Sequence, residues 1–371
     1  MKIGIITWFS GTNYGTHLQA IALQAFLRKM NHHVEIINYE VEVPQKRPMM
    51  KRVLNQPRKF VNLLAYKRFD SQIQIRNNKL KTIIKNNCLL TDKLECDDEF
   101  VKKCNEFDLL VCGGDQIWNP NWYHKFYYAD YDGVTTRKIS YAPSIGVDEI
   151  PEKQIENIKR SLEKFDYISV REKKGAEAVA NLFYGQKKIE TVIDPAFLLD
   201  KDELDKMFKT QLEKERGRYV LSMFLTDNPH HWKAAESFAK KADCKHVIIP
   251  YCGFSYMQRA EIAADAGLED VIELIRGAEY ILTDSFHITA LAIIYRKQFY
   301  TFQRFKETAF FSTNERVRNL LEIADCSNRF INYSEKCIND MTDIDYKNIV
   351  PKLNKVIEKS KKYLEKAVGE E

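Results

Sequence analysis

The first forty residues constrain the fold more than any other stretch. Ile3 to Thr7 is a short apolar run, and Gly11 and Gly15 follow it. From His17 to Met30, Leu18, Ile21, Ala22, Ala25, Phe26 and Met30 recur at spacings of three and four, which predicts a helix with one apolar face. His33 to Asn38 then reads as a second strand. Strand, helix and strand in this order form a βαβ unit, and such a unit requires a parallel sheet with helices on its faces.

The same grammar continues. Buried-type strands are expected at Asp108–Cys112, Lys138–Tyr141, Tyr167–Val170 and Thr191–Ile193. A second series follows the charged stretch 200–218, at Tyr219–Phe224, His246–Ile249, Tyr280–Thr283 and Gln298–Phe302. Helices are expected at Pro229–Ala242 and Arg259–Ala266. With 371 residues, the chain exceeds the ~250–300 at which one core stops growing. We therefore expect an α/β protein of two lobes with parallel sheets, an N-terminal lobe over 1–205 and a C-terminal lobe over 206–340. The remaining segment, 341–371, carries a Lys/Glu-rich amphipathic helix from Tyr346 to Val368, whose Ile349, Leu353, Val356 and Ile357 stripe would pack on a lobe.

Gly and Pro are scarce, at 14 and 10 residues, which excludes collagen-like and linker-like chains. No apolar run approaches the ~18 residues of a membrane span. The N-terminus shows no leader pattern, so a cytoplasmic protein is expected. The eight cysteines never form a CxxC pair, and no Cys/His spacing suits zinc, so no metal is expected. Cys112 stands out because it precedes a glycine pair. One segment departs from the average: residues 45–87 hold twelve Lys or Arg against one acid, Asp70. It reads either as a solvated helical excursion or as a cationic surface for an acidic acceptor or the inner membrane face. A net charge of +5 and the absence of RRM, KH or helix-turn-helix signatures argue against nucleic acid.

In open α/β sheets, ligands bind beyond the carboxyl ends of the strands. The stretches Phe9–Gly15 and Gly113–Asn119 sit there, and neither is a dinucleotide fingerprint or a P-loop. Asp115 reads equally as a general base, a hydroxyl ligand or a helix N-cap. Arg171 ends a buried run, where a guanidinium can clamp a carboxylate or phosphate. Ser285 and His287 precede an apolar helix, and Arg296 and Lys297 end it. A histidine so placed can serve as an acid/base group, and the two cations can equally complement the helix C-terminus.

Taken in order, several segments resemble the polysaccharide pyruvyl transferase family. Asn13-Tyr14-Gly15 with Leu18-Gln19-Ala20 is similar to its NYG-x-x-LQA opening. Gly113–Asn119 resembles its GSDQ-[IV]-WN segment, and Ile168–Glu172 its ISVRE strand. Asp194-Pro195, Thr283–His287 and Asn314–Arg316 are similar to its DP, TDSFHG and NSRI segments. Ile288 stands where the pattern has glycine, Gly114 where it has serine, and Thr16-His17 where it has a small apolar pair. The resemblance implies two Rossmann-like lobes in a GT-B-like arrangement with the active site in the interlobe cleft. It implies transfer of enolpyruvyl from phosphoenolpyruvate, without a cofactor, to a glycan or lipid-linked sugar acceptor. Carried over by position, Arg171, His287 and Lys297 would serve the donor, with His287 as proton donor and Asp115 orienting or deprotonating the acceptor hydroxyl. Asn13, Tyr14, Gly15, Gly114, Gln116, Ser285 and Arg296 complete the expected substrate-binding set. A nucleotide-sugar glycosyltransferase on the same architecture, or a glycan-binding member without activity, remains the alternative.

Overall fold

The opening apolar run forms β1 (Lys2–Ile6), in which Ile3, Ile5 and Ile6 are fully buried. In the computed structural model, which describes residues 1–39, 66–209, 216–307, 309 and 313–369, β1 is flanked on both sides. It pairs in parallel with β2 (His33–Ile36) and with β3 (Leu109–Gly113), and β4 (Arg137–Tyr141) extends the sheet beyond β3. A further parallel pair, β5 (Ile168–Val170) and β6 (Ile189–Thr191), continues from β4 through a single Ile139–Tyr167 bridge. The order β2-β1-β3-β4 followed by β5 is that of a doubly wound sheet whose direction of winding reverses between β1 and β3. The helix Tyr14–Lys29 supplies the first crossover, and Asn13 caps it by accepting the Gly15 N–H at 2.9 Å.

The second series forms one parallel sheet. Its strands are β7 (Tyr219–Met223), β8 (Lys245–Ile248), β9 (Glu261–Ile262), β10 (Tyr280–Thr283), β11 (Gln298–Phe302) and β12 (Phe330–Ile331). They lie in the order β12-β11-β10-β7-β8-β9, the arrangement of dinucleotide-binding sheets, with the switch between β7 and β10. Arg259–Ala266 is not the helix the sequence suggested. Glu261 and Ile262 pair with Val247 and Ile248 as an edge strand, and the helix comes later, at Leu268–Gly277. Pairing with β8 outweighs the local helical composition there.

The chain thus divides into two units, but not where expected. Among described residues the first unit holds 1–39, 84–200 and 350–369, and the second holds 66–83, 201–209, 216–307, 309 and 313–349. Most of the helix Asp70–Asn87 belongs to the second unit rather than to the N-terminal lobe. Arg76 donates to the Pro250 carbonyl at 2.9 Å, and Lys79 pairs with Asp270 at 2.7 Å. The basic run up to residue 65, with its interleaved apolar residues, lies outside the described residues. The helix Tyr346–Val368 forms as expected, and most of it counts with the first unit, where its Ser360 Oγ accepts the Ile193 N–H at 3.0 Å. Among the described residues no helix is long and apolar enough to cross a membrane.

Two histidines packed into the second unit should make it acid-sensitive. His231 has no exposed surface and lies among Phe224, Phe302 and Tyr333. Burial pushes its pKa down to about 4, and that of His246 likewise. The unfolded chain takes up these protons near pH 6.5, while the folded one resists until about pH 4. Stability is therefore full above pH 6.5 and falls as the pH drops through this window, by about 1.4 kcal/mol per pH unit for each group. Urea midpoints measured at pH 7, 5.5 and 4.5 should decline accordingly. Constant midpoints would mean that the rings are protonated in the fold.

Candidate functional site

At the switch point of the first sheet, the loop after β1 meets the loop after β3. Gly113 ends β3 so close to β4 that a Cβ there would lie 2.2 Å from the Tyr141 carbonyl oxygen. Gly114 has φ +76°, and a Cβ on it would fall 1.6 Å from Gln19 Oε1. A serine at 114 would displace that amide. Gln19 Nε2 in turn donates to Thr7 Oγ1 at 3.0 Å and to the Trp8 carbonyl at 2.7 Å. The bare glycine thus leaves room for the amide that ties down the loop after β1.

Asp115 follows in the left-handed region at φ 44°. It caps no helix, because a turn follows instead. One carboxylate oxygen accepts from Thr16 Oγ1 at 2.8 Å, and the other accepts its neighbour's N–H, from Gln116, at 2.9 Å. The Ser144 N–H donates to the Asp115 carbonyl at 2.6 Å, and Ser144 Oγ donates to Glu172 Oε1 at 2.5 Å. Glu172 lies 3.5 Å from Arg171 Nε, and Arg171 Nη1 binds the Asp194 carboxylate directly. Burial pulls the Arg171 pKa down, but Asp194, Glu172 and Asp115 outweigh it and hold it above its ordinary value. Two carboxylates pair with the guanidinium, and a third, Asp115, lies within electrostatic reach.

This corrects the expected role of Arg171. Its side chain is 3% exposed and is engaged by Asp194 and Glu172, so it is an internal strut rather than a clamp open to a dianion. Asn13, Tyr14 and Gly15 are likewise structural here, as the N-cap and buried first turn of their helix. His17, at 1% exposure, holds the Asn13 carbonyl at 2.7 Å, and burial lowers its pKa. Cys112 is sealed in the sheet, and burial pushes its thiol up to about 12, well away from a nucleophile's range.

In the second unit, the switch point gathers a different set. Asp284 follows β10 and accepts the Leu225 N–H at 2.6 Å and Thr226 Oγ1 at 2.7 Å, both from the loop after β7. Burial raises the Asp284 pKa, and the Arg304 guanidinium opposes that rise. Ser285 is the N-cap of helix Phe286–Ile294 but makes no side-chain cap bond. His287 lies in the first turn, 6% exposed, its ring 5.1 Å from that of Phe286. Ile288, the departure from the family pattern, is 1% exposed. Arg304 comes from the loop after β11, which Asn314 pins by accepting the Phe305 N–H at 3.0 Å and donating to its carbonyl at 2.8 Å.

Arg296 and Lys297 do not join this group. The helix runs back antiparallel to its strand, and Tyr280 pairs with Gln298 at the opposite, amino edge of the sheet. Nine residues of helix put them about 13 Å along the axis from His287. Lys297 donates there to the Arg276 carbonyl at 2.9 Å, and burial lowers its pKa. Arg304, which the sequence analysis does not single out, is the cation that bears on Asp284. Its signal was available, since it follows the end of β11 much as Arg171 follows β5. Among the described residues, no group of three or more His, Cys, Asp or Glu could hold a metal ion.

Solved structures of UDP-GlcNAc 2-epimerases share this architecture. That of Methanocaldococcus jannaschii is 14% identical, with a TM-score of 0.51 over 96% of this chain and 92% of that one. Its complex with UDP-GlcNAc and UDP gives 14% identity and 0.50 over 97% and 92%. The enzyme from Neisseria meningitidis, bound to UDP-GlcNAc, is 11% identical and gives 0.48 over 99% and 100%. The fold class is thus the expected GT-B-like one of two Rossmann-like α/β units. No curated protein is significantly similar in sequence. The family model described as polysaccharide pyruvyl transferase matches residues 13–304, from the first helix cap to Arg304. The chain belongs to the polysaccharide pyruvyl transferase family, and through it to the enzymes that modify polysaccharides.

Proposed function

We propose that the chain transfers the enolpyruvyl group of phosphoenolpyruvate to a hydroxyl of a cell-surface glycan or its lipid-linked precursor, giving a pyruvate ketal and phosphate. The observation that carries this reading is the switch point after β10. It combines a helix N-terminus, the His287 imidazole and, within electrostatic reach of Asp284, the Arg304 guanidinium. A helix N-terminus offers unsatisfied N–H groups and the positive end of its dipole to an anion. Phosphoenolpyruvate brings a phosphate and a carboxylate to such a place. Arg304 supplies the fixed cation that Lys297 cannot supply from the far end of the helix.

In this scheme His287 gives a proton to the methylene carbon of the enol. The central carbon becomes electron-poor, and an acceptor hydroxyl oxygen bonds to it and releases its proton, Asp115 being the group proposed to orient the acceptor. The bond from carbon to the phosphate oxygen then breaks, and its electron pair leaves with phosphate. A second hydroxyl closes the ketal. Of the two hydroxyl protons, one restores His287 and the other leaves with phosphate or solvent.

A thermal-shift titration tests the donor. At 100 times its dissociation constant, phosphoenolpyruvate should add about 2.7 kcal/mol of stability. Arg304→Ala should abolish the shift and Lys297→Ala should keep it. Stabilisation by nucleotide sugars and not by phosphoenolpyruvate would replace this reading with a glycosyltransferase. For the acceptor, phosphate release should require a sugar hydroxyl. The basic segment before residue 66 would favour the anionic membrane face.

A further inference from the structure

We propose that Trp8 and Trp122 form the platform that binds the pyranose ring of a neutral acceptor sugar beside Asp115. This deepens the function proposed above and rests on it for the role of Asp115. Trp8 follows the end of β1, at the switch point of the first sheet, and Trp122 closes the short turn Pro120–Trp122 beyond the Gly113–Asn119 segment. The two indoles are half-buried, whereas the nearby Trp118, Tyr127 and Tyr128 are buried. Their ring centroids lie 6.3 Å apart at an interplanar angle of 31°.

Several bonds hold this pair against the Asp115 loop. Trp122 Nε1 donates to the Gln116 carbonyl at 3.1 Å, and Gln19 Nε2 holds the Trp8 carbonyl at 2.7 Å. Tyr127 packs edge-on against Trp8 at 6.1 Å. Its hydroxyl is hydrogen-bonded to Trp8 and feels the charge of Asp115, and burial pushes its pKa up to about 12. A polar group is also left over: Gln116 is 8% exposed, and its Nε2 has no hydrogen-bond partner among the described residues. That amide nitrogen and Asn119 Nδ2 converge beside Gly146, at 2.8 and 2.7 Å from where its Cβ would stand.

A sugar ring has the complementary chemistry. Its axial C–H bonds form an apolar face that suits the electron-rich face of an indole, and its rim is a ring of hydroxyls. A carboxylate and two amide groups can accept from and donate to that rim, the usual mix of apolar wall and few polar groups in a ligand site. The occupant is neutral, because the Asp115 carboxylate in the adjoining loop would repel an anion.

Saturation-transfer NMR on the full chain tests the platform, with methyl glycopyranosides of glucose, galactose, mannose and N-acetylglucosamine as probes. At least one should receive saturation on its ring C–H protons, and its binding should blue-shift the tryptophan emission. Trp8→Ala and Trp122→Ala should each weaken that binding about tenfold, and the Phe variants should retain most of it. Affinities within about twofold of the parent in both Ala variants, with or without a lower melting point, would reduce the indoles to a cover for the core and overturn the proposal. So would the absence of saturation from every glycoside. If the Ala variants do not fold, an unchanged emission spectrum in the parent chain at glycoside saturation overturns it equally. Glycoside binding on the platform without any stabilisation by phosphoenolpyruvate would sink the donor assignment alone.

Discussion

His287→Ala is expected to lower turnover by about 10²–10⁴ while leaving the second unit folded, the usual worth of one acid/base group. The side chain is 6% exposed and sits at the rim of the switch point, in the first turn after the N-cap. The helix itself is secured without it. Thr289 Oγ1 donates to the Ser285 carbonyl at 2.9 Å, and Ala290 to Ile293 are buried. The loss should thus fall on phosphate release and not on the far-ultraviolet circular dichroism spectrum. His287→Gln keeps much of the volume and a hydrogen-bonding end but cannot deliver a proton at neutral pH, so it should be nearly as slow. Near-native turnover in a folded His287→Ala protein would remove the imidazole from the chemistry.

Arg171→Ala should act mainly on stability, by about 3–5 kcal/mol, the cost of removing one member of a buried ion pair. The guanidinium is the counter-charge of Asp194 and Glu172, both buried. Asp194 also accepts the Ala196 N–H at 2.9 Å, and Glu172 is tied to Ser144 and through it to the Asp115 loop. Truncation would strand two carboxylates in a low-dielectric setting and loosen the segment that presents Asp115. Urea unfolding should show an early midpoint for Arg171→Ala and partial recovery in Arg171→Met/Asp194→Asn, which removes both charges of the pair. The opposite pattern, unchanged stability with a strongly raised half-saturation for phosphoenolpyruvate, would return Arg171 to the donor-binding role that its place in the sequence suggests.

Both expectations show where local pattern is sufficient and where it is not. The β10–helix junction was legible because its parts are contiguous. A strand of apolar residues, an Asp-Ser-Phe-His turn and an apolar helix leave little choice about where residue 287 goes. Lys297 belongs to the same contiguous stretch, yet it stands at the far end of its helix. The helix reverses direction over the sheet, so its two ends cannot serve one carboxyl edge. Arg304 has a local signal, its place after the end of β11, but the pairing of β11 with β10 that brings it near Asp284 has none. The helix expected at Arg259–Ala266 failed for a similar reason, since edge pairing with β8 is a tertiary contact.

What the sequence determined by itself is the doubly wound character of both units and the points along the chain at which loops leave the carboxyl ends of strands. Run length, glycine placement and helical spacing are properties of neighbours a few residues apart, and they fix local backbone geometry directly. What only the tertiary structure decided is which polar and charged groups are paired inside the fold. Arg171 meets Asp194 across 23 residues, Thr16 meets Asp115 across 99, and Asp284 meets Thr226 across 58. Whether a buried charge is offered to a ligand or neutralised internally depends on groups a few ångströms away in space, because electrostatic energy falls with distance through the fold and takes no account of distance along the chain.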